Sequence, residues 1–438
     1  MENLRVQEAT GSPGGAVPGA SPTPGRRPPG AVSFVESIIH EGCCGLVLTS
    51  HIVASVGALA PAVMRDPPTP TWLRRVTTHP ESSKIVWPEP RREQTFAAWM
   101  QSIAPAHGLI PSSLRSASSD ASFRRYFRVD GHAGASFIVM DAPPPQEDVR
   151  PFVAVSSMLL AGGLNAPKVL AQDEALGFLL LADLGAELYL DTMLKAQAGA
   201  DPATADALMR DAIRALVQWQ VRADATALPA YDEPLLRREL ALFPDWCVGR
   251  ELGVTWTAAE HELWSTTCDL LVHSALHQPT VAVHRDYMPR NLMVCRNASG
   301  GIDHDATPGI LDFQDAVRGP ISYDLASLLR DAFISWEEEL EIDWAVRYWQ
   351  AARKAGLPMP DDFGEFWREV EWMGLQRHLK VLGIFCRLKH RDGKPKYSED
   401  LPRFFAYAHK VAARYNALRP FSRLLEPLMG ATRVEGFY

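Results

Sequence analysis

The stretch from Val281 to Asp331 constrains this chain more than any other: VAVHRDYMPRNLMV, a variable tract, then GILDFQDAVRGPISYDLASLLRD. Val281 to Val283 is a short apolar run that ends in His284-Arg285-Asp286, and Leu292 to Val294 resumes an apolar run directly after Asn291. Gly309 to Leu311 does the same before Asp312, Phe313 and Gln314. Short apolar runs bounded by turn signals read as buried strands. Each therefore delivers a carboxylate or an amide at its end. A hairpin loop holding Asp286 and Asn291, with Asp312 entering from the neighbouring strand, brings three such groups to one point.

Phosphoryl transfer uses that combination. One carboxylate faces the attacking hydroxyl, while an amide oxygen and a second carboxylate hold Mg2+ against the phosphates of ATP. The order H-R-D, Asn five residues after the Asp, then D-F resembles the protein-kinase signature. Gln314 stands where that signature has glycine, and no A-P-E follows. The fold class expected is α+β: a two-lobed, protein-kinase-like fold with a small antiparallel-sheet N-lobe and a larger, mainly helical C-lobe, lacking a protein kinase's activation segment.

The 438 residues are ample for such a core. A net charge of −8 gives no basic field for nucleic acid. Six cysteines, none in a C-x-x-C pair, indicate neither a zinc site nor a disulfide framework, which fits a reducing cytoplasm. Three parts are expected: an extension over 1–92, an N-lobe and hinge over 93–185, and a C-lobe over 186–438. The extension contains a Pro/Gly/Ser/Ala-rich tract from Gly11 to Gly30, which lacks the apolar residues to fold. The apolar run from Cys43 to Met64 is interrupted by Gly45, His51, Gly57 and Pro61, a marginal membrane spanner at best. A disordered tail, a weak anchor and sequence upstream of a misplaced start are the three readings of this extension.

In the N-lobe, Phe96, Trp99, Met100 and Ile103 predict a helix over Gln94 to His107. Ser118 to Val129 reads as a turn entering a strand, with Phe137 to Met140 as its partner. Such a hairpin covers the phosphates in a kinase, yet its usual glycines are absent. Ser119 and Ser122 offer hydroxyls and backbone N–H groups, and Arg124, Arg125 and Arg128 offer charge. Strand alternation puts Arg124 and Arg128 on one face and Arg125 on the other. The next strand carries no lysine, so one of these arginines is expected to neutralise phosphate. A helix follows over Glu147 to Ala161, then strands at Pro167 to Leu170 and Gly177 to Leu181. Leu181 and Asp183, in the hinge-like LLLADLG, are expected to offer backbone groups to the adenine. C-lobe helices are expected over Ala207–Val221, Leu235–Trp246, Ala258–His277, Tyr323–Ile334, Trp344–Ala355, Phe363–Lys389 and Pro402–Ala417.

HRDYMPRN, LDFQDA, GPISYDLASLL, SDASFRRYFRV and LLLADLG together resemble the aminoglycoside phosphotransferase-like small-molecule kinases, over about residues 93 to 430. Within that family the likeness is to kinases that phosphorylate N-acetylmuramate and N-acetylglucosamine at C1; the tail pattern of Arg377, His378, Arg387 and Tyr397 adds to it. The resemblance implies an amino-sugar substrate and a role in cell-wall recycling. It also implies a pathway partner, a nucleotidyltransferase that converts the sugar 1-phosphate to UDP-sugar, with no stable complex. Asp286 would accept the hydroxyl proton; Asn291 and Asp312 would hold magnesium. His284 and Arg285 would buttress the loop, and Asp324 would brace it. Arg290, Gln314 and Asp315 would face the sugar. Arg318, Arg377 and Arg387 are the candidate partners for the lactyl carboxylate of N-acetylmuramate. An aminoglycoside, choline-like, homoserine-like or other sugar kinase is the alternative within the class, and a nucleotide-binding pseudokinase the alternative outside it.

Overall fold

The computed structural model describes residues 85–87, 89–119 and 123–430, all within the unit His79–Tyr438. The expectations for residues 1–84 lie outside the described residues. Among the described residues no helix is long and apolar enough to cross a membrane.

The small lobe comprises α1 (Pro90–His107), β1 (Leu109–Ser119), β2 (Arg125–Gly131), β3 (Ser136–Asp141), α2 (Arg150–Ala161), β4 (Val169–Asp173) and β5 (Phe178–Ala182). Its five strands form one antiparallel sheet in the order β1-β2-β3-β5-β4. Strand alternation divides β5 between two cores. Phe178 and Leu180 join Phe96, Trp99 and Met100 of α1, while Leu179 and Leu181 join Phe152, Val155 and Leu159 of α2. The sheet is thus covered by α1 on one face and α2 on the other.

Two features correct the sequence reading. Strand β1 was not expected, because LIPSSLRSASS shows no alternation and contains Pro111; the structure accommodates both by placing it at the sheet edge with two register shifts. The lobe also begins before residue 93. Ile85 and Trp87 pack on the α1 core, Trp87 stacks on Phe127 with centroids 5.6 Å apart, and Arg92 holds the buried Asp141.

The large lobe contains α3 (Tyr189–Ala198), α4 (Pro202–Arg222), α5 (Glu233–Leu242), a π-helical segment (Phe243–Glu251), α6 (Ala258–His277), β6 (Thr280–Val283), β7 (Leu292–Met293), β8 (Gly309–Ile310) and β9 (Val317–Pro320). Five further helices follow: α7 (Tyr323–Leu329), α8 (Glu338–Lys354), α9 (Phe363–His390), α10 (Leu401–Arg414) and α11 (Arg419–Leu425) close the fold. Helix α6 is set by a capping box in which Thr257 and Glu260 exchange bonds. Helix α5 stops short of Trp246 because the chain widens into the π segment at Phe243. Helix α7 ends at Leu329 instead of Ile334.

The 28-residue α9 runs through the centre of the lobe. It crosses the end of α5 at Gly383, where a Cβ would sit 2.4 Å from the backbone carbonyl of Leu242. Only glycine fits there.

Candidate active site

The loop carrying Asp286 and Asn291 lies between β6 and β7. β6 pairs with β9, and β7 pairs with β8, so the two short ladders carry Asp286, Asn291 and Asp312 to one place. Asn291 Nδ2 donates to the backbone oxygen of Asp286 at 2.9 Å and lies 3.4 Å from Asp312 Oδ2. The amide oxygen is the atom left for a cation. Gln314 Nε2 donates to the other Asp312 oxygen at 2.9 Å. Gln314 Oε1 is buried without a partner.

Arg285 and Asp312 both adopt left-handed backbone, with φ of 76° and 62°. Neither is glycine or asparagine, and each conformation costs about 1–3 kcal/mol. Surrounding bonds hold them. Asp324 of α7 accepts the N–H of His284 at 2.7 Å and of Arg285 at 3.0 Å. Leu311 N donates to the Asn291 carbonyl at 2.9 Å. Phe313 is fully buried against Phe152 of α2, with ring centroids 4.7 Å apart, which ties the small lobe to the residue beside Asp312.

Burial sets the charge states below the loop. It pushes the His284 imidazole down to about 4, leaving the ring neutral, and Nδ1 accepts the Asp286 N–H at 3.3 Å. Burial, opposed by the two amides and reinforced by Asp286, pushes the Asp324 carboxyl up to about 7. The Asp286 side chain itself is 38 % exposed, open to solvent.

Of the arginines expected at the phosphates, only Arg124 reaches Asp312. Its guanidinium is 3.7 Å from Asp312 Oδ1 and 3.8 Å from Glu147 Oε2. Arg125 binds the buried Asp141 beside Arg92 and lies 4.2 Å over Trp87, on the α1 face. Arg128 and Asp183 engage each other. Arg128 Nε meets Asp183 Oδ2 at 2.6 Å, and Ser136 and the Gly185 N–H occupy the same carboxylate. Those bonds fasten β2 to the hinge, so Asp183 shapes that segment with its side chain. Leu181 lies within β5, opposite Ile138 and Val169. The Ser119 backbone pairs with Arg125; Ser122 lies outside the described residues.

On the acceptor side, Arg377 of α9 is buried, 3.9 Å from Asp286 Oδ1 and 3.6 Å from Met288 Sδ. Arg290 follows in the turn after Asp286, its guanidinium 5.0 Å over the Phe333 ring. Both face the buried Asp331, whose carboxyl burial pushes up to about 6 against their charge. Asp315 is linked to Gln314 at 3.4 Å. Arg318 lies exposed on β9, its backbone held by Pro229 and Tyr231. Arg387 is ten residues beyond Arg377 on α9, about 15 Å along the axis.

Sequence reasoning missed Glu147 and Asp331. Glu147 carried a readable signal, an acidic residue just ahead of the helix that follows a strand lacking its lysine, whereas Asp331 is a single acid past the end of α7.

A magnesium ion suits this donor set. Among the described residues no group of three or more His, Cys, Asp or Glu converges. One carboxylate with one amide oxygen is the sparse oxygen set that Mg2+ takes when phosphates complete its shell.

A family model described as "Phosphotransferase enzyme family" matches residues 113–366. The N-acetylmuramate/N-acetylglucosamine kinase of Pseudomonas putida is 50% identical over 329 residues, covering 75% of this chain and 92% of that protein. The protein of the same name from Neisseria meningitidis is 46% identical, covering 79% and 98%. Among solved structures, a Plasmodium vivax ethanolamine kinase superposes with a TM-score of 0.50 at 13% identity, over 74% of this chain and 98% of that one, a likeness of fold alone. With its kinase-like lobes and its Asp286, Asn291 and Asp312 constellation, the chain belongs to the phosphotransferase enzyme family.

Proposed function

We propose that this protein transfers the γ-phosphoryl group of ATP to the anomeric hydroxyl of N-acetylmuramate and N-acetylglucosamine. The convergence of Asp286, Asn291 and Asp312, at the spacing above, carries the reading of phosphoryl transfer. The names of relatives at 46–50% identity support the amino-sugar acceptor. An anomeric hydroxyl belongs to a hemiacetal and is more acidic than an ordinary alcohol, so a positioned carboxylate is a sufficient base.

Asp286 orients that hydroxyl and accepts its proton. Asn291 and Asp312 hold magnesium, which when bound neutralises phosphate charge. Arg124, bracketed by Asp312 and Glu147, substitutes for the absent small-lobe lysine. Arg290 and Arg377 line the acceptor side. The lactyl carboxylate of N-acetylmuramate suits a guanidinium there. The product, a sugar 1-phosphate, is the substrate class a nucleotidyltransferase converts to UDP-sugar, and free cysteines among the described residues suit the cytoplasm where ATP is found.

The test is incubation with ATP, Mg2+ and each sugar, with phosphorus NMR of the product. Transfer to C1 of both sugars, none to their C1-reduced alditols, and about a 1,000-fold loss of kcat in Asp286→Asn are expected. Phosphate at another hydroxyl, turnover of the alditols, or ATP binding without transfer would refute the proposal.

A further inference from the structure

Arg285 is an arginine directly before the proposed base, in left-handed backbone, with its side chain directed inward. Its guanidinium donates to Glu239 Oε1 at 2.6 Å. The Lys380 ammonium lies 2.8 Å from the same oxygen. Tyr231 and Gln376 Nε2 donate to Oε2, the latter at 3.2 Å. Every partner is buried or nearly so. Burial resists ionisation of Glu239, but Lys380 and Arg285 hold its carboxyl down at about 2. The cluster joins the catalytic loop to α5 through Glu239 and to α9 through Gln376 and Lys380. Tyr231 adds the segment bonded to β9.

An arginine next to a catalytic aspartate is a point at which phosphotransferases can be switched: an anion supplied by phosphorylation orders the loop through the guanidinium. Here that anion is built in. We propose that Glu239 is a positioning residue for Asp286, a permanent internal counter-ion that holds Arg285 in its strained conformation and keeps the catalytic loop competent without covalent modification. Lys380 fixes Glu239 in the ionised form, and Tyr231 and Gln376 occupy its second oxygen so that the carboxylate has one orientation. The proposal rests on Asp286 acting in phosphoryl transfer.

The test uses the full chain with Glu239→Gln, Glu239→Asp and, as a matched control, Leu425→Ala, a core truncation on the distant α11. Two properties are read. Hydrogen exchange of peptides spanning 283–293 reports the loop independently of any substrate, and steady-state kinetics with ATP and the amino sugars report catalysis. Glu239→Gln is expected to accelerate exchange in that peptide and to lower kcat about 100-fold, the scale of a misplaced catalytic group, with KM for ATP changed less than about threefold. Glu239→Asp, which keeps the charge, should recover part of both, and it supplies the readout if the glutamine variant does not fold. Leu425→Ala should lower the thermal midpoint while leaving loop exchange and kcat near wild type.

Unaltered loop exchange in folded Glu239→Gln overturns the proposal. A kcat loss that merely tracks the thermal midpoint, as the control defines it, overturns it too. Failure of the wild type to phosphorylate the sugars, with faster loop exchange in Glu239→Gln, would refute the acceptor reading and leave the anchor standing.

Discussion

Arg124 and Arg125 are adjacent, yet the structure gives them opposite work. Arg124 bridges Glu147 and Asp312 at the site, and Arg125 neutralises the buried Asp141. Arg124→Ala should therefore reduce kcat/KM for ATP about 10- to 100-fold, read by steady-state kinetics, with the thermal midpoint little changed. Arg125→Ala should do the reverse, costing about 2 kcal/mol in chemical denaturation while Arg92 still partners Asp141. A second residue-scale consequence concerns pH. His284 takes its proton near pH 4 in the folded chain and near 6.5 when exposed. Between those values the unfolded state binds more protons, so stability falls as the pH falls. Relative to His284→Asn, the wild type should lose about 3 kcal/mol across that window, measured by urea unfolding at several pH values.

At the scale of elements, periodicity revealed what was strongly amphipathic or uniformly buried. Helix α6 matches its expected span, and β3 and β5 fall within a residue or two of theirs. Strand β1 was invisible because an edge strand with bulges and a proline needs no alternation; pairing with β2, a tertiary fact, makes it a strand. The same division holds in the site. Asp286, Asn291 and Asp312 were legible because local chain geometry fixes their spacing. The partners of the arginines were not, since Asp141, Asp183 and Glu147 are assigned by sheet register and helix docking. Gly383 offers a test of such docking. Alanine is the better helix former by about 1 kcal/mol, but its methyl group would strike Leu242. Gly383→Ala should consequently destabilise the fold by about 1–3 kcal/mol in thermal or urea unfolding.

For the whole molecule, the small lobe depends on residues ahead of its first helix. A chain begun at Ile85 should exceed one begun at Glu93 by about 3 kcal/mol in unfolding free energy, because the second lacks the Trp87 stack and the Arg92 bond to Asp141. The two lobes are also sewn together along one edge. Asn165, between α2 and β4, donates to Ala306 O at 2.7 Å, and its backbone carbonyl accepts from Ile310 N at 2.8 Å. These bonds act like the binding of a book. A swing of the lobes about that bound edge would part Arg124 from Asp312. Under the proposed function, that contact becomes one restraint on how long spent nucleotide stays bound.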